Sequence, residues 1–71
     1  MAVTDPILDI ADVAALLGVP EQTVRTWRWR DETKPLADGT LRLPRPHYIK
    51  SGVPIWDRAQ FIIEAKAMGR L

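Results

Sequence analysis

Residues 9–30 read DIADVAALLGVPEQTVRTWRWR, and the fold is decided there. Asp9 has the side chain of a helix N-cap and Asp12 sits three residues on, in a box-like position. Ile10, Val13, Ala14 and Leu17 then recur at i, i+3, i+4, i+7, one face of an amphipathic helix that Leu16 widens. Gly18 ends that helix because glycine adopts the left-handed conformation cheaply, and Pro20 fixes the start of the next segment. From Glu21, well placed against the positive end of a helix dipole, to about Arg30 the chain reads as a second helix. Steps of about 100° put Val24 and Trp27 on one side as core, with Gln22, Arg25, Thr26 and Trp29 on the other. Two short helices joined by a three-residue turn containing glycine form a helix-turn-helix unit, whose second helix is the one that enters a DNA major groove.

Working outward, residues 31–44 carry Pro35, Gly39 and Pro44 among polar neighbours and predict an irregular loop, long for so small a domain. His47–Lys50 and Val53–Trp56 flank Ser51-Gly52, a two-residue hairpin signal. Pro54 cannot donate to a ladder, so the second strand is expected at an edge or bulged. Pairing Lys50 with Val53 puts His47, Ile49, Pro54 and Trp56 on one face, taken as inward, and Tyr48, Lys50, Val53 and Ile55 on the other. Asp57 with Gln60 makes a capping box for a last helix that Gly69 ends, its apolar face drawn from Ala59, Ile62 and Ile63 with Phe61, Ala65 and Met68 alongside. Residues 1–8 lack periodicity and read as a loose arm, leaving 9–71 as the domain. The expected fold is therefore mainly α with a small β-hairpin: a winged helix-turn-helix.

Composition narrows the function classes. At this length only about 60% of the unfolded surface can be buried, so every large apolar side chain counts. Cysteine is absent, which excludes disulfides and thiolate metal sites and fits a reducing cytoplasm. No apolar run approaches a membrane span, and Asp5 and Asp9 stand where a signal peptide would carry cations. The net charge of +1 says little, but its distribution says more. All ten basic residues fall in 21–71, against six acidic ones, and within 39–56 Arg42, Arg45, His47 and Lys50 occur with no carboxylate. A basic segment on a near-neutral domain is the footprint of phosphate contacts.

Leu8-Asp9, Val13 through Pro20, and Thr23-Val24-Arg25 with Trp27 resemble the helix-turn-helix of the excisionase and MerR-like winged-helix superfamily. Pro44-Arg45-Pro46, the hairpin about Gly52 and Trp56 running into a capped helix are similar to the wing and third helix of phage and plasmid excisionases and of AlpA-type regulators. The resemblance covers roughly residues 8–68. It implies a second helix in the major groove, a wing along the backbone or in the minor groove, and binding in rows of neighbouring copies. It also implies an excisionase role, bending attachment-site DNA to steer an integrase, with transcription regulation from the same fold as the alternative. The stretch Arg30–Leu43 is longer than the connector of AlpA-like proteins. No helix follows Met68 to make the coiled coil of full MerR regulators, so their effector sensing is not carried over.

The expected site follows from these readings. On the second helix Gln22, Thr23, Arg25, Thr26, Arg28, Trp29 and Arg30 are the DNA-contacting candidates, since arginine pairs with guanine and glutamine with adenine. Arg28 faces sideways, toward either a phosphate or an ion pair with Glu21 or Glu32. On the wing the candidates are Arg42, Arg45, His47, Lys50 and Ser51. Trp29 breaks the polar stripe, and two accounts compete: the long loop folds over it, the favoured one, or its indole meets DNA or a partner protein. A single histidine without cysteine makes no metal site, no nucleophile–base pair is present, and no cofactor is expected. An enzyme is the least favoured class. A protein-interaction adaptor docking through Trp29 and Asp31-Glu32 is the reading from a different class, and it leaves the basic stretch 42–50 without purpose.

Overall fold

In the computed structural model, which describes residues 6–34 and 36–71, Asp9 and Asp12 close a full capping box on α1 (Ile10–Leu17). The Asp12 N–H donates to Asp9 Oδ1 at 2.9 Å and the Asp9 N–H to Asp12 Oδ2 at 3.2 Å. Gly18, at φ +68°, stops the helix as expected. Behind it the Val19 N–H reaches the Ala14 carbonyl (3.0 Å) and the Gly18 N–H the Ala15 carbonyl (3.3 Å), the paired bonds of a Schellman ending. After the three-residue turn, α2 spans Glu21–Thr33, three residues beyond the expected end at Arg30. Arg28 and Glu32 pair across one turn at 3.3 Å and the Thr33 hydroxyl donates to the Trp29 carbonyl at 2.7 Å, local support that apolar periodicity does not register. Lys34, the residue before Pro35, leaves helical geometry, as that position favours.

β2 (Tyr48–Lys50) and β3 (Val53–Asp57) form the expected hairpin with the expected register, Lys50↔Val53, Ile49↔Pro54, Tyr48↔Ile55. Ser51 and Gly52 both have positive φ, +51° and +78°, the signature of a type I′ turn whose twist matches the strands. Two expectations are corrected here. Ile7–Leu8 is no loose arm but a strand, β1, pairing antiparallel with β3 through Ile7↔Asp57 and Leu8↔Trp56; residues 1–5 of that arm lie outside the described residues. β3 is consequently the central strand of a β1-β3-β2 sheet and not an edge. Pro54 is tolerated because the ladder alternates: counted from the closing pair Lys50↔Val53, its nitrogen points away from β2, toward the side where β1 pairs only as far as Trp56.

Asp57 caps α3 (Arg58–Ala67) by accepting the Gln60 N–H at 3.0 Å. The second half of the expected box does not form, because the Asp57 N–H donates to His47 Nδ1 at 2.9 Å instead. The inward face of α3 is Phe61 and Ala65, both fully buried, with Ile62 and Met68 partly covered. Ile63, expected inside, is 64% exposed, and Ala59 is exposed as well. The reason is geometric: Phe61 and Ala65 are one turn apart, and Ile63 points across the helix from both.

Leu8, Val13, Ala14, Val24, Leu43, Trp56, Phe61 and Ala65 make one core, with Leu16, Leu17 and Trp27 packed against it. Trp56 sits at its centre, edge-on to Phe61 with centroids 6.2 Å apart, its indole N–H donating to the Pro44 carbonyl at 2.8 Å. The long segment after α2 is thus part of the interior. Asp31 accepts from the backbone N–H groups of Arg42 and Leu43, and Arg70 Nε donates to the Arg42 carbonyl at 2.7 Å. The Arg70 guanidinium also lies 4.2 Å over the Trp27 ring, which is half-buried rather than sealed. The architecture is a small α+β domain of three helices and a three-stranded antiparallel sheet. Among the described residues no helix is long and apolar enough to cross a membrane.

Candidate nucleic-acid interface

The outward side of α2 is set by what its inward side must do. Val24 is fully buried and Asp31 and Trp27 point the same way, so the opposite stripe, Gln22, Arg25, Thr26 and Trp29, faces away from the body. Gln22, Arg25 and Arg30 are exposed, while Thr23 and Thr26 are half-buried at the stripe's margins. Arg25 has one intramolecular partner, Glu21 at 3.3 Å, with both side chains about half exposed. Such a pair contributes about 0–1 kcal/mol, so a stronger anion displaces the glutamate readily.

The hairpin lies along one flank of the same helix. A groove of about 400 Å³ lies between Arg28, Asp31 and Glu32 of α2 and the 41–46 segment that leads into the hairpin, with Ile49 of β2 at its edge. A shallower depression of about 270 Å³ lies nearer the hairpin tip, between Glu21 and Arg25 on one side and Gly52 and Val53 on the other. Arg45, Lys50 and Ser51 are exposed along this hairpin, and neither cation has an ion pair among the described residues. Arg28 is three-quarters covered and pairs with Glu32, one of the two alternatives the sequence left open.

Two expected site residues have other roles, and a third is not covered as expected. Arg42 does not face out: its Nη1 binds Asp31 Oδ1 at 3.1 Å and the Lys34 carbonyl at 3.0 Å, and its side chain is 17% exposed. His47 is engaged at both ring nitrogens. Nδ1 accepts from the Asp57 N–H, so the neutral ring carries its proton on Nε2, which donates to Glu64 Oε2 at 2.7 Å. It ties the start of the hairpin to α3. Trp29, expected under the loop, is 56% exposed, because Asp31 and Arg42 draw that loop to the opposite side of α2.

Sequence reasoning missed Asp31 and Arg70 as organisers of the loop. Asp31 lies one turn past Trp27 on the inward side of the second helix, and a carboxylate at a core-facing position was the available signal. No family model, curated protein or solved structure matches this chain significantly.

Proposed function

We propose that this protein is a winged helix-turn-helix that binds duplex DNA sequence-specifically, with α2 in the major groove and the β2–β3 hairpin as the wing. One observation carries the reading. Gln22, Arg25, Thr26 and Trp29, at i, i+3, i+4, i+7, lie on the helix face turned away from the core, directly after a glycine turn, with Arg45 before the hairpin and Lys50 at its tip carrying no ion pair among the described residues. That spacing is how one helix presents four side chains to a groove floor. Base edges are then read by Gln22 and Arg25, while Arg30, Arg45 and Lys50 hold phosphates and position the helix.

The resemblance to excisionases gives the role we carry forward: neighbouring copies bend attachment-site DNA beside an integrase, and the protein performs no chemistry of its own. The first test is a titration on duplex DNA across salt concentrations. Three to five phosphate contacts give a slope of log K against log salt of about −3 to −4.5, and an affinity indifferent to salt refutes DNA binding. Footprinting then tests the role: adjacent protected repeats with enhanced bending are the excisionase result, and one operator over a promoter is that of a transcription regulator.

A further inference from the structure

Trp29 is the largest side chain that the fold leaves unused. Of the three tryptophans, Trp56 is sealed in the core and hydrogen-bonded, and Trp27 packs on the core beneath the Arg70 guanidinium. Trp29 is 56% exposed on α2, with Arg25 and Thr26 one turn before it and Glu32 and Thr33 one turn after. On the proposed reading its stripe is the one that enters the groove, where DNA would cover the indole. The cations without an ion pair among the described residues, Arg30 beside it and Arg45 and Lys50 on the neighbouring segment, fit a polyanion as that cover.

Helical geometry places it more narrowly. Seven residues turn the helix through about 700°, so Trp29 falls within about 20° of Gln22 and about 10 Å further along the axis. It occupies the centre of the outward stripe, between Arg25 and Thr26. If Gln22 reaches base edges, so does Trp29. An indole has one N–H donor and no acceptor, and its ring needs an apolar surface. In the major groove the base edges offer one methyl group, the 5-methyl of thymine.

We infer that Trp29 is a specificity-determining residue that reads thymine by packing its ring on the 5-methyl group. The inference rests on the DNA-binding reading and sharpens it from a groove to one base.

The test selects sites from a pool of randomised duplexes with wild type, Trp29→Ala and Trp29→Phe, then repeats binding on the wild-type consensus with deoxyuridine in place of each thymidine in turn. Because Trp29 is exposed and outside the core, both variants keep the wild-type melting temperature. The wild-type consensus is expected to hold a thymine that Trp29→Ala no longer selects and Trp29→Phe selects weakly. Uracil at that position weakens wild-type binding about fourfold, the factor that one buried methyl contributes, and leaves Trp29→Ala unaffected. A consensus unchanged in Trp29→Ala, or a uracil effect of equal size in both proteins, overturns the assignment and leaves the indole to a protein partner. A wild type that selects no sequence overturns the DNA reading itself, and this inference with it.

Discussion

Asp31→Asn changes two atoms of charge distribution and no volume, yet it should be among the most damaging surface-proximal substitutions in this domain. The wild-type carboxylate receives three donors on two oxygens. Oδ1 accepts the Arg42 N–H at 2.9 Å and Arg42 Nη1 at 3.1 Å; Oδ2 accepts the Leu43 N–H at 3.1 Å and shares the Arg42 N–H. An asparagine has one acceptor oxygen. Whichever way the amide turns, its NH2 faces either the Leu43 N–H or the Arg42 guanidinium. Leaving one covered donor unsatisfied costs about 1–3 kcal/mol and losing the charge-assisted bond about 1 more, so the expected loss is about 2–4 kcal/mol. A chain of this length has a total stability of about 4–10 kcal/mol. At about 4–8 °C per kcal/mol for a domain of this size, the melting temperature should fall by about 8–30 °C.

Thermal melts of wild type, Asp31→Asn, Arg42→Ala and the double variant decide which bonds matter. Arg42→Ala removes the ion pair, whose side chains are 17% and 9% exposed, and the bond to the Lys34 carbonyl but keeps both backbone bonds, so it should cost about 1.5–3 kcal/mol. In that background Asp31→Asn should still destabilise, though less, because one amide oxygen must serve the backbone N–H groups of residues 42 and 43 that two carboxylate oxygens served, and the NH2 then faces the N–H of residue 42. Melting of Asp31→Asn within about 2 °C of wild type would falsify the loop clamp. Loss of its effect in the Arg42→Ala background would reassign the stability to the ion pair alone.

Other substitutions test the remaining elements. Trp56→Ala empties the centre of the core and orphans the Pro44 carbonyl, so it should cost about 3–5 kcal/mol and leave the domain largely unfolded by circular dichroism; Trp27→Ala, at a half-buried site, should cost visibly less. Ser51→Asn places the residue best suited to positive φ before Gly52 and should raise stability by a few tenths of a kcal/mol or more in a denaturant titration. In competition binding on randomised sites, Arg25→Ala should relax sequence preference by about 1–3 kcal/mol at one position, whereas Lys50→Ala should weaken all sequences alike and reduce the salt slope by about one unit. The opposite pattern would mean that the hairpin reads and the helix holds.

What was legible in the sequence was what is local. The Asp9–Asp12 box, the Gly18 stop and the Ser51-Gly52 turn each act within a few residues, and each appears in the structure where the sequence put it. β1 was illegible because a strand of two residues has no period; its identity comes from Leu8 filling space beside Trp56. The segment after α2 carries no helical or strand pattern, so Leu43 at 1% exposure could not be told from its exposed neighbours. His47 and Arg42 looked like wing cations because their partners, Glu64 and Asp31, lie 17 and 11 positions away. Ion pairs of that separation exist only after the chain has closed on itself.

The same pairings decide which charges of a domain of net charge +1 stay available. Among the described residues Glu21 and Glu32 pair with Arg25 and Arg28 on α2, and most other carboxylates are tied to the fold. Asp9, Asp12 and Asp57 turn to helix N-termini, Asp31 to loop backbone and Glu64 to the His47 ring. The cations divide in turn: Arg42 and Arg70 hold the loop and the Trp27 ring, while Arg30, Arg45 and Lys50 have no partner among the described residues, and Arg25 only a weak one. The basic run 39–56 was therefore not the footprint as written. Half of it is internal scaffolding, and the charge that faces outward is assembled from α2 and the hairpin, two segments that the shared core and the Asp31, Trp56 and His47 bonds bring together. On the proposed reading, a substitution that loosens any of these three should separate α2 from the hairpin and weaken DNA binding without touching a residue assigned to the interface.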